Sequence, residues 1–111
     1  MNTRYGYAQE KLFNAVHALA VGPGDVRSRL LVAYAHAHTL GAENFPEELR
    51  KDWEDIGKSL NRFGPIYDYE GQVSRGSVEH TLNRIKNRTG SKIAKKFFHL
   101  FSELNFREEY R

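Results

Sequence analysis

The chain has 111 residues, no cysteine, one methionine and one tryptophan, and a net charge of +3. That length suits one domain, long enough to bury about two-thirds of the surface its unfolded form exposes. The missing cysteines exclude a disulfide framework, a thiolate nucleophile and Cys-ligated zinc or iron–sulfur centres, while no uncharged run approaches the ~20 residues of a membrane span. With no signal-peptide pattern at its start, the chain reads as a soluble, cytoplasmic protein.

Gly22-Pro23-Gly24, Phe45-Pro46 and Gly64-Pro65, with a further break at Thr89-Gly90, divide the chain into five segments of helical spacing. The first runs from about Arg4 to Ala20, with Tyr5, Ala8, Leu12, Val16 and Leu19 on one stripe. Asp25 stands at the N-cap of the second, whose stripe is Val26, Leu30, Ala33, Ala37 and Leu40 and whose closing glycine is Gly41. Leu31, Val32 and Tyr34 lie off that stripe, the pattern of a central helix packed on several sides.

The third helix opens at Pro46 with Glu47 and Glu48 at its positive end, and turns Leu49, Trp53, Ile56 and Leu60 inward. Residues 65–76 keep neither period and read as a loop of about a dozen residues, strand-like only around Ile66–Tyr69. Ser77 caps a short fourth helix carrying Val78, Leu82 and Ile85. Thr89 or Ser91 caps a fifth, with Ile93, Phe97, Leu100, Phe101 and Leu104 inward. The tail from Asn105 to Arg111 either continues that helix or frays. The expected fold is all-α: a single-domain bundle of about five helices over residues 1–111, with a long loop near residues 65–76.

Charge is unevenly spread. Residues 1–63 hold eight basic and eight acidic side chains, whereas Gly71 to Leu100 holds seven basic residues against Glu79 alone. Arg84 and Arg88 are four apart, as are Lys92 and Lys96, so each helix of the last hairpin gains a basic flank. Arg75, Arg84, Arg88, Lys92, Lys95 and Lys96 are therefore candidates for salt-dependent contact with nucleic-acid phosphates. Tyr67 and Tyr69 either stack on bases or plug the end of the bundle. A helix-turn-helix centred on Gly90 fits poorly, because Lys86 falls where a small residue belongs and Lys96 where the second helix should be apolar.

The histidines His17, His36, His38, His80 and His99 make no metal motif; His36 and His38 point about 200° apart on a helix. No metal and no cofactor are expected. The spans Arg29-Leu-Leu-Val-Ala-Tyr-Ala-His36 and Arg75-Gly-Ser-Val-Glu-His80 each separate an Arg from a His by four to six residues. In this, as in size and helical content, the chain resembles the HEPN ribonucleases. That resemblance implies metal-independent RNA cleavage with Arg29 and His36 as catalytic residues, His taking the 2′-hydroxyl proton and Arg stabilising the developing charge.

The chain also resembles a group of small bacterial proteins of unassigned function in Gly22–Gly24, Arg29–His38, Phe45–Leu49 and Glu70–Leu82, which implies a helical fold and no activity. Phe13, Leu31, Val32 and Phe98 are apolar beyond single stripes and, if exposed, mark an interface. The resulting expectation is a non-enzymatic helical interaction or regulatory protein that binds itself or a protein partner and no membrane. Its alternatives are nucleic-acid contact through residues 75–96 and the HEPN-like ribonuclease.

Overall fold

The computed structural model describes residues 4–109. Its helices are α1 (Gly6–Val21), α2 (Val26–Ala37), α3 (Glu47–Leu60), α4 (Ser77–Arg84) and α5 (Asn87–Glu109), and one hydrophobic core joins all five. The fold is the all-α bundle that the periodicity predicts. Tyr110 and Arg111, the end of the predicted tail, lie outside the described residues; the tail before them continues α5.

α1 and α2 form an antiparallel pair. Tyr7 Oη and Thr39 Oγ1 meet at 2.7 Å at one end, and Arg29 Nη1 donates to the Leu19 carbonyl at 2.7 Å at the other. The buried face of α1 is Ala8, Leu12, Ala15 and Ala18, rotated from the expected stripe so that Val16 and Leu19 lie at its half-buried edge. Small alanines at a helix contact let the two axes approach. Asp25 caps α2 as expected, its carboxylate accepting from Ser28 N at 3.0 Å. That bond, followed by the hydrogen bond from Arg27, holds the Asp25 carboxyl below the usual carboxylate range.

α2 stops at Ala37 and not at Gly41, because Leu40 N–H turns back onto the Ala37 carbonyl and a 3₁₀ turn, Ala42–Asn44, follows. Leu40 stays buried all the same. α3 carries Leu49, Ile56 and Leu60 into the core, and half-buried Trp53 donates Nε1–H to the Leu40 carbonyl at 3.1 Å. Its ring lies against those of Phe45 and Phe97, at centroid distances of 5.4 and 6.3 Å.

Ser77 is the first residue of α4 and does not cap it, since Gly76 holds the N-cap position without a side-chain bond; two further expectations need correction. Residues 65–76 are not wholly a loop: β1 (Ile66–Tyr67) and β2 (Val73–Arg75) pair antiparallel with an irregular register. The strands escape periodicity because each is only two or three residues long. Second, Thr89-Gly90 is no break. α4 ends at Arg84, Ile85 is extended and buried, and α5 runs through Gly90. Gly90 is buried where α5 crosses the start of α2, and a Cβ there would meet Val26 Cγ1 at 2.9 Å. Its missing side chain serves packing, not a turn.

Two glycines therefore respond oppositely to substitution. Gly90→Val is expected to lose about 1–3 kcal/mol by overpacking. Gly57→Ala, in the middle of α3 with open space around the new Cβ, is expected to gain about 1 kcal/mol. Urea unfolding of both variants checks this, and a stable Gly90→Val protein would contradict the close crossing.

The cap on α2 gives a pH prediction. Folding lowers the Asp25 pKa, so its contribution is complete above the unfolded-state pKa and is lost as pH falls through the lower folded value. Asp25→Ala should be less stable than wild type at neutral pH, and the gap should narrow in acid; an equal gap throughout an acid titration would exclude the charged cap.

Candidate functional site

Arg29 is engaged on two sides. Besides the bond to Leu19, its Nε approaches the Asp25 carbonyl at 3.4 Å, one turn back along its own helix. The guanidinium thus covers a carbonyl left open at the end of α1 and points toward the start of α2. His36 sits two turns further on, a rise of about 10 Å, with an exposed ring and no hydrogen bond among the described residues. The Arg29 guanidinium is directed at the Leu19 and Asp25 carbonyls, and no hydrogen bond joins it to His36 among the described residues. Among the described residues no three His, Asp or Glu side chains gather to hold a metal ion.

The six basic candidates separate into two groups. Arg75, on β2, pairs with Glu79 at 3.5 Å, and Arg84 lies over the Phe63 ring at 4.4 Å. Arg88, Lys92, Lys95 and Lys96 are on α5. Arg88, Lys92 and Lys95 are three or four residues apart and form a line with His99 along its solvent face, and none has an ion-pair partner among the described residues. Lys96 is turned toward α3, where its Nζ lies 3.5 Å from Ser59 Oγ. Lys95, Lys96 and His99 also border an open groove of about 250 Å³ with Asp52 and Asp55, which places carboxylates beside that part of the line.

The apolar surplus also divides. Leu31 borders the groove between α2 and α4, while Phe13 and Phe98 stand over the seam between α1 and α5, 55% and 58% exposed. The seam is antiparallel: Gln9 bonds Asn105 across it, Phe13 meets Phe101 at 6.2 Å, and Leu19 shares a furrow with Ala94 and Phe98. That furrow, about 430 Å³, has Leu19, Val26, Ala94 and Phe98 as its apolar lining and Arg29, Ser91 and Lys95 as its polar edge. Together the rings of Phe13, Phe98 and Phe101 form an aromatic strip on a surface edged with positive charge.

Sequence reasoning singled out Phe13 and Phe98 but placed Phe101 inside, where it is only half-buried. It gave no site role to Arg62 or Phe63. No spacing could join Arg62 and Phe63 to Arg84, because the three meet through the fold.

Comparisons with protein-family models, with curated proteins and with solved structures find no match to this chain. The resemblance to the HEPN ribonucleases therefore rests on size, helical content and the quoted Arg–His spacings. No described helix is long and apolar enough to cross a membrane.

The capping geometry separates the two residues of that spacing. Arg29→Ala should cost about 1–3 kcal/mol through the lost bond to Leu19, whereas His36→Ala should stay within about 0.5 kcal/mol of wild type. Chemical denaturation measures both, and equal effects would show that Arg29 does not cap α1.

Proposed function

We propose that this chain is a non-enzymatic helical binding module that docks an amphipathic protein segment on the aromatic strip between α1 and α5. One observation carries the reading: Phe98 lines an apolar furrow on the α1–α5 seam and Phe13 lies against Phe101 on the same seam, and both Phe13 and Phe98 are more than half exposed although the core beneath is already closed. Clustered aromatic rings at a helix seam are the side chains that dominate binding energy at interfaces. The furrow is open along its length and edged by Arg29 and Lys95, which suits a helix with one apolar face and acidic flanks. That segment belongs either to a second copy of this chain or to another protein.

Phe98 is the position to test, because its exposed ring contributes little to the core. Phe98→Ala should leave the circular dichroism unchanged and weaken association about thirty-fold, the loss of an interface anchor worth on the order of 2 kcal/mol. Sizing with light scattering over a concentration series reads self-association, and recovery of partners from native lysate by wild type and variant reads heterotypic binding. A protein that is monomeric throughout, and from which wild type and Phe98→Ala recover the same material, would overturn the proposal.

A further inference from the structure

At the end of α3 the chain builds a second surface, independent of the furrow. Phe63 follows α3 and is half-buried, its backbone N–H donating to Thr81 Oγ1 at 3.1 Å. Arg84 from α4 and its sequence neighbour Arg62 both lie over its ring, with guanidinium carbons 4.4 and 5.0 Å from the centroid. Two cations are thus held on one ring, separated by no more than the sum of those distances. Neither has a carboxylate within ion-pair distance among the described residues. Like charges gathered this way repel unless an anion lies between or beside them.

His80 completes the cluster. Its ring is 5.9 Å from Phe63, and its Nδ1 lies 2.9 Å from the Gly64 carbonyl. A carbonyl only accepts, so Nδ1 carries the proton and donates, and Nε2 is left without a partner among the described residues.

The hairpin that follows adds aromatic faces. Tyr67 is exposed and Tyr69, at the tip, is 97% exposed. An extended chain places Tyr67 no more than about 14 Å from Phe63. The tip itself is well tied: the Asp68 carboxylate accepts from Glu70 N at 2.9 Å and Gln72 N at 3.0 Å, Gly71 N–H returns to the Asp68 carbonyl, and Gly71 takes φ +82°. Asp68 therefore directs its charge into the turn, leaving Glu70 as the open carboxylate beside Tyr69.

From this geometry we infer that the junction of α3, the hairpin and α4 is a contact site for single-stranded nucleic acid. Arg62 and Arg84 hold backbone phosphates, and Tyr69 and Tyr67 offer faces on which bases stack. Paired guanidiniums match phosphate oxygens, and unpaired bases stack on aromatic rings with little regard to sequence. Duplex bases, already stacked on one another, cannot use the tyrosines. The site draws on only Arg84 from the unpaired residues of the basic 75–96 stretch, and it adds Arg62 from outside it.

Fluorescence anisotropy with a 5′-labelled twelve-nucleotide oligo-uridine tests the site. The full chain is titrated over a range of salt concentrations, with a duplex of equal length as a second probe. Arg62→Gln with Arg84→Gln should weaken binding at least ten-fold and lower the salt slope by about 1.4, the share of two phosphate contacts on a single strand. Tyr69→Ala should weaken it five-fold or more with the salt slope unchanged, and Glu70→Gln should tighten it. Arg88→Gln with Lys92→Gln, on α5, should change affinity less than the Arg62 and Arg84 pair does.

Absence of binding by the wild type at low salt would overturn the inference. So would equal affinity for the duplex, or loss of binding in the α5 variant alone. Binding of a phosphoserine peptide without binding of the oligonucleotide would reassign the cations to a protein ligand and overturn it as well. Phe98→Ala serves as a further control: it should bind oligo-uridine like the wild type, so the fate of this site is read separately from that of the furrow.

Discussion

The bundle depends on the crossing of α2 and α5 at Gly90. With a hydrogen in place of a side chain, α5 passes directly against Val26 and Leu30, 2.9 Å from Val26 Cγ1 to where a Cβ would be. Ile93, Phe97, Leu100 and Leu104 follow on the same side of α5 and are all buried. The opposite side is thereby committed to solvent, which is where Arg88, Lys92, Lys95 and His99 line up. The crossing is tied a second time by Arg27, which bonds the Asp25 carboxylate and the Ile85 carbonyl at 3.1 Å. One guanidinium so joins the start of α2 to Ile85, the first of the two residues between α4 and α5.

The first three helices were legible because proline and glycine stops frame clean 3.6-residue stripes, and Leu12, Leu30, Leu49, Ile56 and Leu60 are buried as the stripes require. The division of the last hairpin was not legible. A glycine inside a helical pattern reads as punctuation, and only the partner helix, about sixty positions away in sequence, reveals that Gly90 answers to Val26 and Leu30. Two- and three-residue strands likewise fall below any periodic signal, although the stretch around Ile66–Tyr69, marked as strand-like, contains β1.

Legibility at the candidate sites follows the same division. Phe13 and Phe98 could be recognised as surplus because each lies off the stripe of its own helix. That they share one seam with Phe101 required the antiparallel approach of α1 and α5, which no local pattern encodes. Arg29 shows the opposite case: its spacing to His36 suggests chemistry, while the fold turns its guanidinium to the end of α1. Such engagement favours holding a helix end over stabilising charge that develops only during a reaction, because Nε and Nη1 already donate at rest.

The two surfaces also differ in what they ask of the fold. A two-stranded hairpin is at best marginally stable alone, and this one is held where it meets the bundle by Phe63 on Thr81, His80 on Gly64 and Ser77 on the Asn61 carbonyl. Its tip adds further bonds around Asp68, yet Tyr69 stays 97% exposed. Stabilising interactions are thus directed at a segment that returns little apolar burial to the core. The α1–α5 strip is the converse: its backbone is ordinary helix, and Phe13 and Phe98 leave apolar area in water that polar residues at the same positions would not. Ordered polar structure that presents a ring, and regular helix that leaves rings uncovered, both contribute less to folding than the same residues could. The recognition proposed for these two surfaces gives that difference a reason.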